Sequence, residues 1–362
     1  MDCVKLPDVG SRSLTTALIQ FGFVQSYPDY SLFTYCKHNV RLHMLIYVDD
    51  LIIGGNDTAA IVKFKSISIG ASIYLGPLKY FLGIEVAHGP EGIFLSQRKY
   101  ALDIISKCGF LGAKPTSVPI EQNHHLALAK GTLMENPNRY RRLVGRLIYL
   151  TITRPELCYC IHILAQFMQS PRQEHWDAAL RVVRYMKGYP GQGLLFCSDS
   201  DLRLYAYCDS DWASFPLTRR SLIGYFVLLG QTPVSWKTKK QHTMSRSSTK
   251  AEYRSMVTTS CELKWMKKLL LSFGVAHDEP ARLYCDNQVA LHIVVNLVFH
   301  ERTKHIEVNC HFVRDELQRG NIVTCHVRTT EQLADILTKA LGKEKFAYFL
   351  GKLGIRNLHT PI

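Results

Sequence analysis

The sequence predicts a two-domain chain of the α+β / α/β class: a helix-rich first half built around a β-hairpin, then a mixed five-stranded sheet with flanking helices. Three observations point there. The chain has 362 residues, more than one compact unit of average size holds. Residues 188–193, Gly-Tyr-Pro-Gly-Gln-Gly, are the clearest break in the hydrophobic pattern. Beyond them, three apolar runs follow one another closely and then helical patterns alternate with two more, the order of a mixed sheet. The limits drawn from this are 1–190 and 191–345 for two domains, with 346–362 as a C-terminal tail.

Taken in order, residues 13–33 carry a helix, a Pro/Asp turn and a short strand, and no strand is expected before them. Residues 42–55 read Leu-His-Met-Leu-Ile-Tyr-Val-Asp-Asp-Leu-Ile-Ile-Gly-Gly, two apolar runs around an acidic pair. That is a β-hairpin with Asp49 and Asp50 at its tip. A helix follows over 57–68, then strands over 80–86 and 93–95 and an amphipathic helix over 97–108, stopped by Gly109. Residues 114–137 are loop-like. Helices cover 140–150 and 158–168, split by Thr153-Arg154-Pro155, and 176–187, which carries Arg181, Arg184 and Lys187. After the break, strands span 202–208, 221–229 and 233–237. A long helix spans 247–273, a fourth strand 283–285, helices 288–295 and 307–318, and a fifth strand 322–327. The last helix covers 330–341, with Thr329 or Thr330 as N-cap and Glu331 in its first turn.

With 47% hydrophobic residues the chain can build sizeable cores, which excludes a disordered polymer. The formal charge of +14, from 44 Lys+Arg against 30 Asp+Glu, favours a polyanionic partner, a phosphate backbone above all. A generic solubility charge is the bland alternative. Lys237, Lys239, Lys240 and Arg246 could hold phosphates or form an ordinary solvated loop. The eleven cysteines show no Cys-x-x-Cys and no paired Cys/His spacing, which argues against zinc and disulfides. No secretory leader and no uncharged membrane-length segment is seen, so the expectation is an intracellular protein of cytoplasm or nucleus with no membrane partner.

Four acids carry the chemistry: Asp209, Glu252, Asp286 and Asp335. Each alone has a dull explanation, as a turn cap, a solvated helix carboxylate or a helix-dipole partner. Their order is strand-Asp, helix-Glu, strand-Asp, helix-Asp, which can bring all four to one sheet edge. Carboxylates about 5 Å apart repel by roughly 3 kcal/mol per pair at an effective dielectric near 20. Such a cluster needs protons or divalent cations, and two Mg²⁺ ions would also clamp the attacking and leaving oxygens of a phosphodiester. Asp211, two residues past Asp209, is expected to be structural.

At this point the residues resemble a known family, the C-terminal end of the copia-type LTR retrotransposon Pol polyprotein in its plant form. The resemblance runs over residues 13–341. It rests on Leu-Ile-Tyr-Val-Asp-Asp-Leu-Ile-Ile-Gly-Gly (45–55), Tyr-Phe-Leu-Gly-Ile-Glu-Val (80–86), Thr-Arg-Pro-Glu-Leu (153–157) and Tyr-Cys-Asp-Ser-Asp-Trp-Ala (207–213). Ser-Arg-Ser-Ser-Thr-Lys-Ala-Glu-Tyr-Arg (245–254), Arg-Thr-Lys-His-Ile-Glu-Val (302–308) and Ala-Asp-Ile-Leu-Thr-Lys-Ala-Leu (334–341) extend it. The resemblance implies a partial reverse-transcriptase palm and thumb followed by an RNase H-like domain. It implies that Asp209, Glu252, Asp286 and Asp335 bind Mg²⁺, with Mn²⁺ as a substitute, and that the RNA strand of an RNA–DNA hybrid is cleaved to leave a 5′ phosphate. It also implies that Asp49, with Asp50 beside it, belongs to the polymerase metal-binding turn.

There are departures. Polymerisation in the family needs a further aspartate from an earlier strand; neither Asp2 nor Asp8 follows a strand, so the polymerase half is expected to be incomplete and inactive. Residues 67–75 depart from the family's run. The family's histidine before the last aspartate has only His326 as counterpart, read here as packing; His305 and His311 are read as structural or hybrid-facing. Two other readings stay open: a catalytically silent nucleic-acid-binding relic, and a piece of a whole reverse transcriptase.

Overall fold

A computed structural model of the chain describes residues 2–5, 11–48, 50–68, 73–295 and 307–357; Asp8, Asp49 and His305 lie outside the described residues. The chain divides into two units, Met1–Val86 with Lys264–Asp278, and Ala87–Leu263 with Glu279–Ile362.

The first unit contains β1 (Asp2–Lys5), α1 (Ser11–Phe21), β2 (Val24–Gln25), β3 (Leu32–Lys37), β4 (Val40–Tyr47), β5 (Asp50–Gly55), α2 (Thr58–Ser68), β6 (Ile73–Pro77) and β7 (Tyr80–Phe81); β8 (Ile84–Gly89) begins in it. Six strands form an antiparallel sheet in the order β2-β3-β4-β5-β1-β6. Alternation decides its faces: Leu42 and Met44 of β4 and Leu51 and Ile53 of β5 are fully buried. They join Leu18 of α1 and Phe64 of α2 in one apolar cluster. The expected hairpin pairing is present, with Tyr47 opposite Asp50 and a left-handed Val48 (φ +51°) after β4. Two expectations fail. A strand does precede residue 13: β1, short and without alternation to mark it, lies between β5 and β6. The single strand expected over 80–86 is a tight hairpin, because Leu82 and Gly83 both take positive φ and turn the chain back.

The second unit continues with β9 (Gly92–Ser96), α3 (Arg98–Lys107), α4 (Pro137–Leu150), α5 (Cys158–Ala165), α6 (Gln173–Gly188), β10 (Gln192–Cys197), β11 (Leu204–Asp211), β12 (Leu222–Leu229), β13 (Thr232–Lys240) and α7 (Ser248–Ser272), whose residues from Lys264 on are counted with the first unit. Then come β14 (Ala281–Cys285), α8 (Gln288–Val295), α9 (Glu307–Gln318), β15 (Ile322–His326), α10 (Lys343–Lys352) and β16 (Ile355–Asn357). α4 shows why the helices form: Pro137 opens it, and Tyr140, Leu143, Val144, Leu147 and Leu150 make one buried stripe. The expected mixed sheet is there, in the order β13-β12-β11-β14-β15. β11, β12 and β13 pair antiparallel, while β14 and β15 run parallel to β11. The α+β / α/β class read from the sequence is thus the class of the chain.

Three further expectations are corrected. The segment 188–193 joins α6 to β10 inside the second unit, and β10 pairs with β9 and with β16. No continuous helix covers 330–341; two short 3-10 turns, Thr329–Glu331 and Leu333–Leu337, stand there, and α10 is the last helix. Residues 346–357 are not a loose tail, since Phe346, Phe349, Leu353 and Ile355 are buried in the same cluster as α3, α4, α5 and α6. Among the described residues, no helix is long and apolar enough to cross a membrane.

Candidate active site

Parallel pairing of β11 with β14, Tyr207 beside Tyr284, sets Asp209 and Asp286 each two residues further along neighbouring strands. Asp209 stands within β11, which runs on through Asp211, rather than at the strand's end as expected. Asp286 follows β14 directly, ahead of Asn287, whose Oδ1 accepts the Ala290 N–H at 2.9 Å and caps α8. Near the start of α7, Glu252 accepts the Ser210 backbone N–H at 3.0 Å, which ties the helix to β11. Asp335 comes from the 3-10 turn Leu333–Leu337, held over the sheet by Gln332, whose side-chain amide donates to the Cys208 carbonyl at 2.9 Å. Gly224, opposite Asp209 on β12, makes room for this turn: a Cβ there would lie 2.6 Å from Thr338 Cγ2 and 2.9 Å from Leu337 Cβ.

The side chains fall into two linked subgroups. Glu252, Cys285 and Asp286 each offer one ligand atom, all within 4.8 Å of one another. Asp209 and Asp335 are joined through Lys339, whose Nζ lies 3.2 Å from Asp209 Oδ1 and 2.7 Å from Asp335 Oδ1. Lys345 takes the other Asp335 oxygen at 2.6 Å. The Thr338 hydroxyl donates to Asp209 Oδ2, and the Thr329 hydroxyl donates to Asp286 Oδ2 at 3.0 Å.

Electrostatics connect the subgroups. Burial pushes the Asp209 carboxyl up to about 6; Lys339 pulls it down, and the Asp335 and Asp286 carboxylates push it up again. Burial, then the charges of Asp209, Cys285 and Asp286, hold Glu252 well above the usual carboxylate range. Lys339 responds in the opposite sense: burial lowers its pKa, but Asp209 and Asp335 outweigh that and raise it. Asp209, Glu252 and Asp335 are almost fully buried and Asp286 is half-buried. An arrangement of this kind favours a cation among its oxygens, and one ammonium already bridges two of them.

Sequence reasoning missed Lys339, Thr338 and Cys285. The first had a signal: a lysine four residues after an aspartate is that acid's neighbour on a helical turn. Of the other expected residues, Asp50 opens β5, half-buried, opposite Tyr47 and Lys5. Asp49 lies outside the described residues. His326 is exposed at the end of β15, the edge strand of the sheet, against the expectation that it packs. His311 is exposed. Lys237, Lys239 and Arg246 are exposed, whereas Lys240 is half-buried. Asp211 is half-buried, its carboxyl raised by burial and drawn down by Lys339 and Ser214.

Comparison with known proteins gives consistent likenesses. A family described as reverse transcriptase (RNA-dependent DNA polymerase) matches residues 5–122. The retrovirus-related Pol polyprotein from transposon RE2 of Arabidopsis thaliana is 43% identical over 344 residues, 94% of this chain and 24% of that protein. The corresponding polyprotein from transposon TNT 1-94 of Nicotiana tabacum is 32% identical, over 90% of this chain and 25% of its own length. The chain therefore spans about a quarter of these relatives. An uncharacterised mitochondrial protein of Arabidopsis thaliana is 41% identical over 62% of this chain and 94% of its own length. Among solved structures, the foamy viral protease-reverse transcriptase in complex with RNA/DNA hybrid covers 91% of this chain and 44% of its own, at 11% identity and a TM-score of 0.47. LC11-RNase H1 in complex with RNA/DNA hybrid covers 38% of this chain and 94% of its own, at 14% identity and a TM-score of 0.30.

Proposed function

We propose, from the premise that this chain belongs to the copia-type LTR retrotransposon Pol family, that the β11–β15 sheet, with the start of α7 and the 3-10 turn Leu333–Leu337, carries a nuclease site that cleaves the RNA strand of RNA–DNA hybrids with divalent metal ions. The observation that carries this reading is the group of buried Asp209, Glu252 and Asp335 with half-buried Asp286, drawn from β11, the start of α7, the 3-10 turn and the residue after β14. Its donors are almost all carboxylate oxygens, which suit Mg²⁺ or Mn²⁺. The raised Asp209 and Glu252 carboxyls express the same need for positive charge. Bound among these oxygens, the ions would lower the pKa of an attacking water and neutralise charge on the leaving oxygen. The protein's own part is to hold the acids in place: Ser210 N–H on Glu252, Thr338 on Asp209, Thr329 on Asp286. Lys339, paired with both Asp209 and Asp335, would have to give way wherever these oxygens held an ion. The reverse-transcriptase part is the stretch that the family matches, residues 5–122, with Asp49 and Asp50 as its metal-binding pair. A minor groove lined with 2′-hydroxyls is the feature by which a hybrid would be told from DNA.

The test is cleavage of a hybrid labelled on its RNA strand. Cleavage by the purified chain should need Mg²⁺ or Mn²⁺, stop in EDTA, and fall at least about 100-fold in Asp286→Asn, the loss expected of a group that acts on the reacting charge. Unchanged cleavage by that variant would sink the metal assignment. A second reading, a nucleic-acid-binding chain that does not cleave, draws on the two ammoniums that take both Asp335 oxygens. Hybrid binding with no Mg²⁺-dependent cleavage by the parent chain would establish it instead.

A further inference from the structure

Beside the carboxylate group the second unit holds a cavity of about 310 Å³, which the cleavage chemistry leaves unused. Two cations face it from different segments: Arg220, just ahead of β12, and Lys240 at the end of β13. Neither meets a carboxylate at ion-pair distance among the described residues. Lys240 donates to the neutral Gln166 Oε1 at 2.8 Å, and its ammonium stands 4.6 Å over the Phe215 ring. The Arg220 guanidinium has no hydrogen-bond partner among the described residues. The two repel: burial and then Arg220 draw the Lys240 pKa below its ordinary value. Asp211 also lines the cavity, half-buried, with its carboxyl raised by burial against the opposing pull of Lys339 and Ser214. Two half-buried like charges beside an aromatic wall, Phe215 with Phe167 6.4 Å away, make a place for an anion that carries a flat ring.

We propose that this cavity is a subsite for one phosphate-bearing nucleotide unit, its phosphate on Arg220 and Lys240 and its base or sugar against Phe215. The assignment rests on the reading of the chain as a nucleic-acid-processing protein and adds where the strand is held. Lys339 lines the cavity and also touches Asp209 and Asp335, so the cavity adjoins the carboxylate group. A nucleotide unit could come from a polynucleotide strand or from a free nucleotide, and the two share this chemistry.

The test uses the purified full chain in EDTA, where nothing is cleaved, with a fluorescent RNA–DNA hybrid and with AMP as probes. In Arg220→Ala/Lys240→Ala, hybrid binding should weaken about tenfold or more, and the slope of log K against log salt should become shallower by about 1, as for the loss of one phosphate contact. Lys240→Arg, which keeps the charge, should bind like the parent. Should the double variant melt early, Lys240→Gln alone replaces it, with a loss of about threefold or more. Competition by AMP against the hybrid on the parent chain would assign the site to a free nucleotide; no competition, with the variant's loss intact, would assign it to a strand. Parent-like hybrid affinity and salt slope in the charge-removing variants overturns the proposal. Because binding is read without metal, the result stands apart from the Asp286→Asn cleavage test.

Discussion

At Asp209 burial and charge pull against each other, and burial wins. Its carboxyl titrates at about 6 in the fold, against about 3.9 in an unfolded chain. Between those values the folded state binds more protons than the unfolded one, so its stabilising contribution is full at low pH and is lost as pH rises through 6. Glu252 is raised as well and acts in the same direction. In EDTA, Asp209→Asn should therefore melt higher than the parent at pH 8, and the gap should close as pH falls toward about 4, the unfolded value. Magnesium should reverse the order at pH 8 by stabilising only the parent, since an ion that binds the native state alone raises stability by mass action. Thermal melts of both chains across that pH range, with and without Mg²⁺, are the measurement; a gap independent of pH would refute the electrostatic account. The four acids were legible in the sequence because their order, two on or after apolar strand runs and two in helical patterns, can be read without knowing the exact ends of the elements. Lys339 was not singled out, because a lysine on a short turn looks solvent-facing until Asp209, 130 residues earlier, is known to lie above it.

The element that decides the site is the 3-10 turn Leu333–Leu337, which brings Asp335 to the sheet. Sequence pattern read it as the interior of a longer helix, since Leu333, Ile336 and Leu337 follow helical spacing. The turn instead lies flat against β12, with Ala334 to Thr338 all buried, a placement set by tertiary contact that local periodicity does not encode. Its seat is Gly224. In Gly224→Ala the new methyl meets Thr338, Leu337 and the Ala334 carbonyl within 3.2 Å, which should cost about 1–3 kcal/mol as overpacking. It should also reduce Mg²⁺-dependent cleavage by displacing Asp335. Gly145→Ala is the control: it lies within α4, nothing stands within 4 Å of its Cβ position, and a gain of about 0.5–1 kcal/mol is expected there. Urea midpoints for the two variants should move in opposite directions. β10 escaped notice for a related reason: its opening glycines read as a linker, and its partners β9 and β16 lie roughly 100 and 160 residues away in the chain, beyond any local pattern.

At the scale of the whole molecule, one core defines the second unit. It takes Leu143, Leu157 and Val183 from the helices before residue 190, Phe226 and Ile336 from the sheet region after it, and Phe349 and Ile355 from the C-terminal residues. The Gly-rich segment that marks a boundary in the sequence is therefore crossed by continuous packing, and the residues read as a tail complete the same cluster. α10 closes it with Phe346 and Phe349, while Tyr348 between them faces outward, 46% exposed. Phe349→Ala should cost about 3–5 kcal/mol, the range for emptying a buried aromatic site, and Tyr348→Ala less than about 1 kcal/mol. If the core is continuous, Phe349→Ala should lower the urea midpoint of the helical and sheet portions together, in one transition followed by Trp176 in α6 and Trp236 in β13. Two transitions, with only one of them shifted, would mean that the residues before and after 190 unfold separately. Removing residues 343–362 should act like Phe349→Ala but more severely, and because Lys345 leaves with them, one Asp335 oxygen loses its partner in the same step.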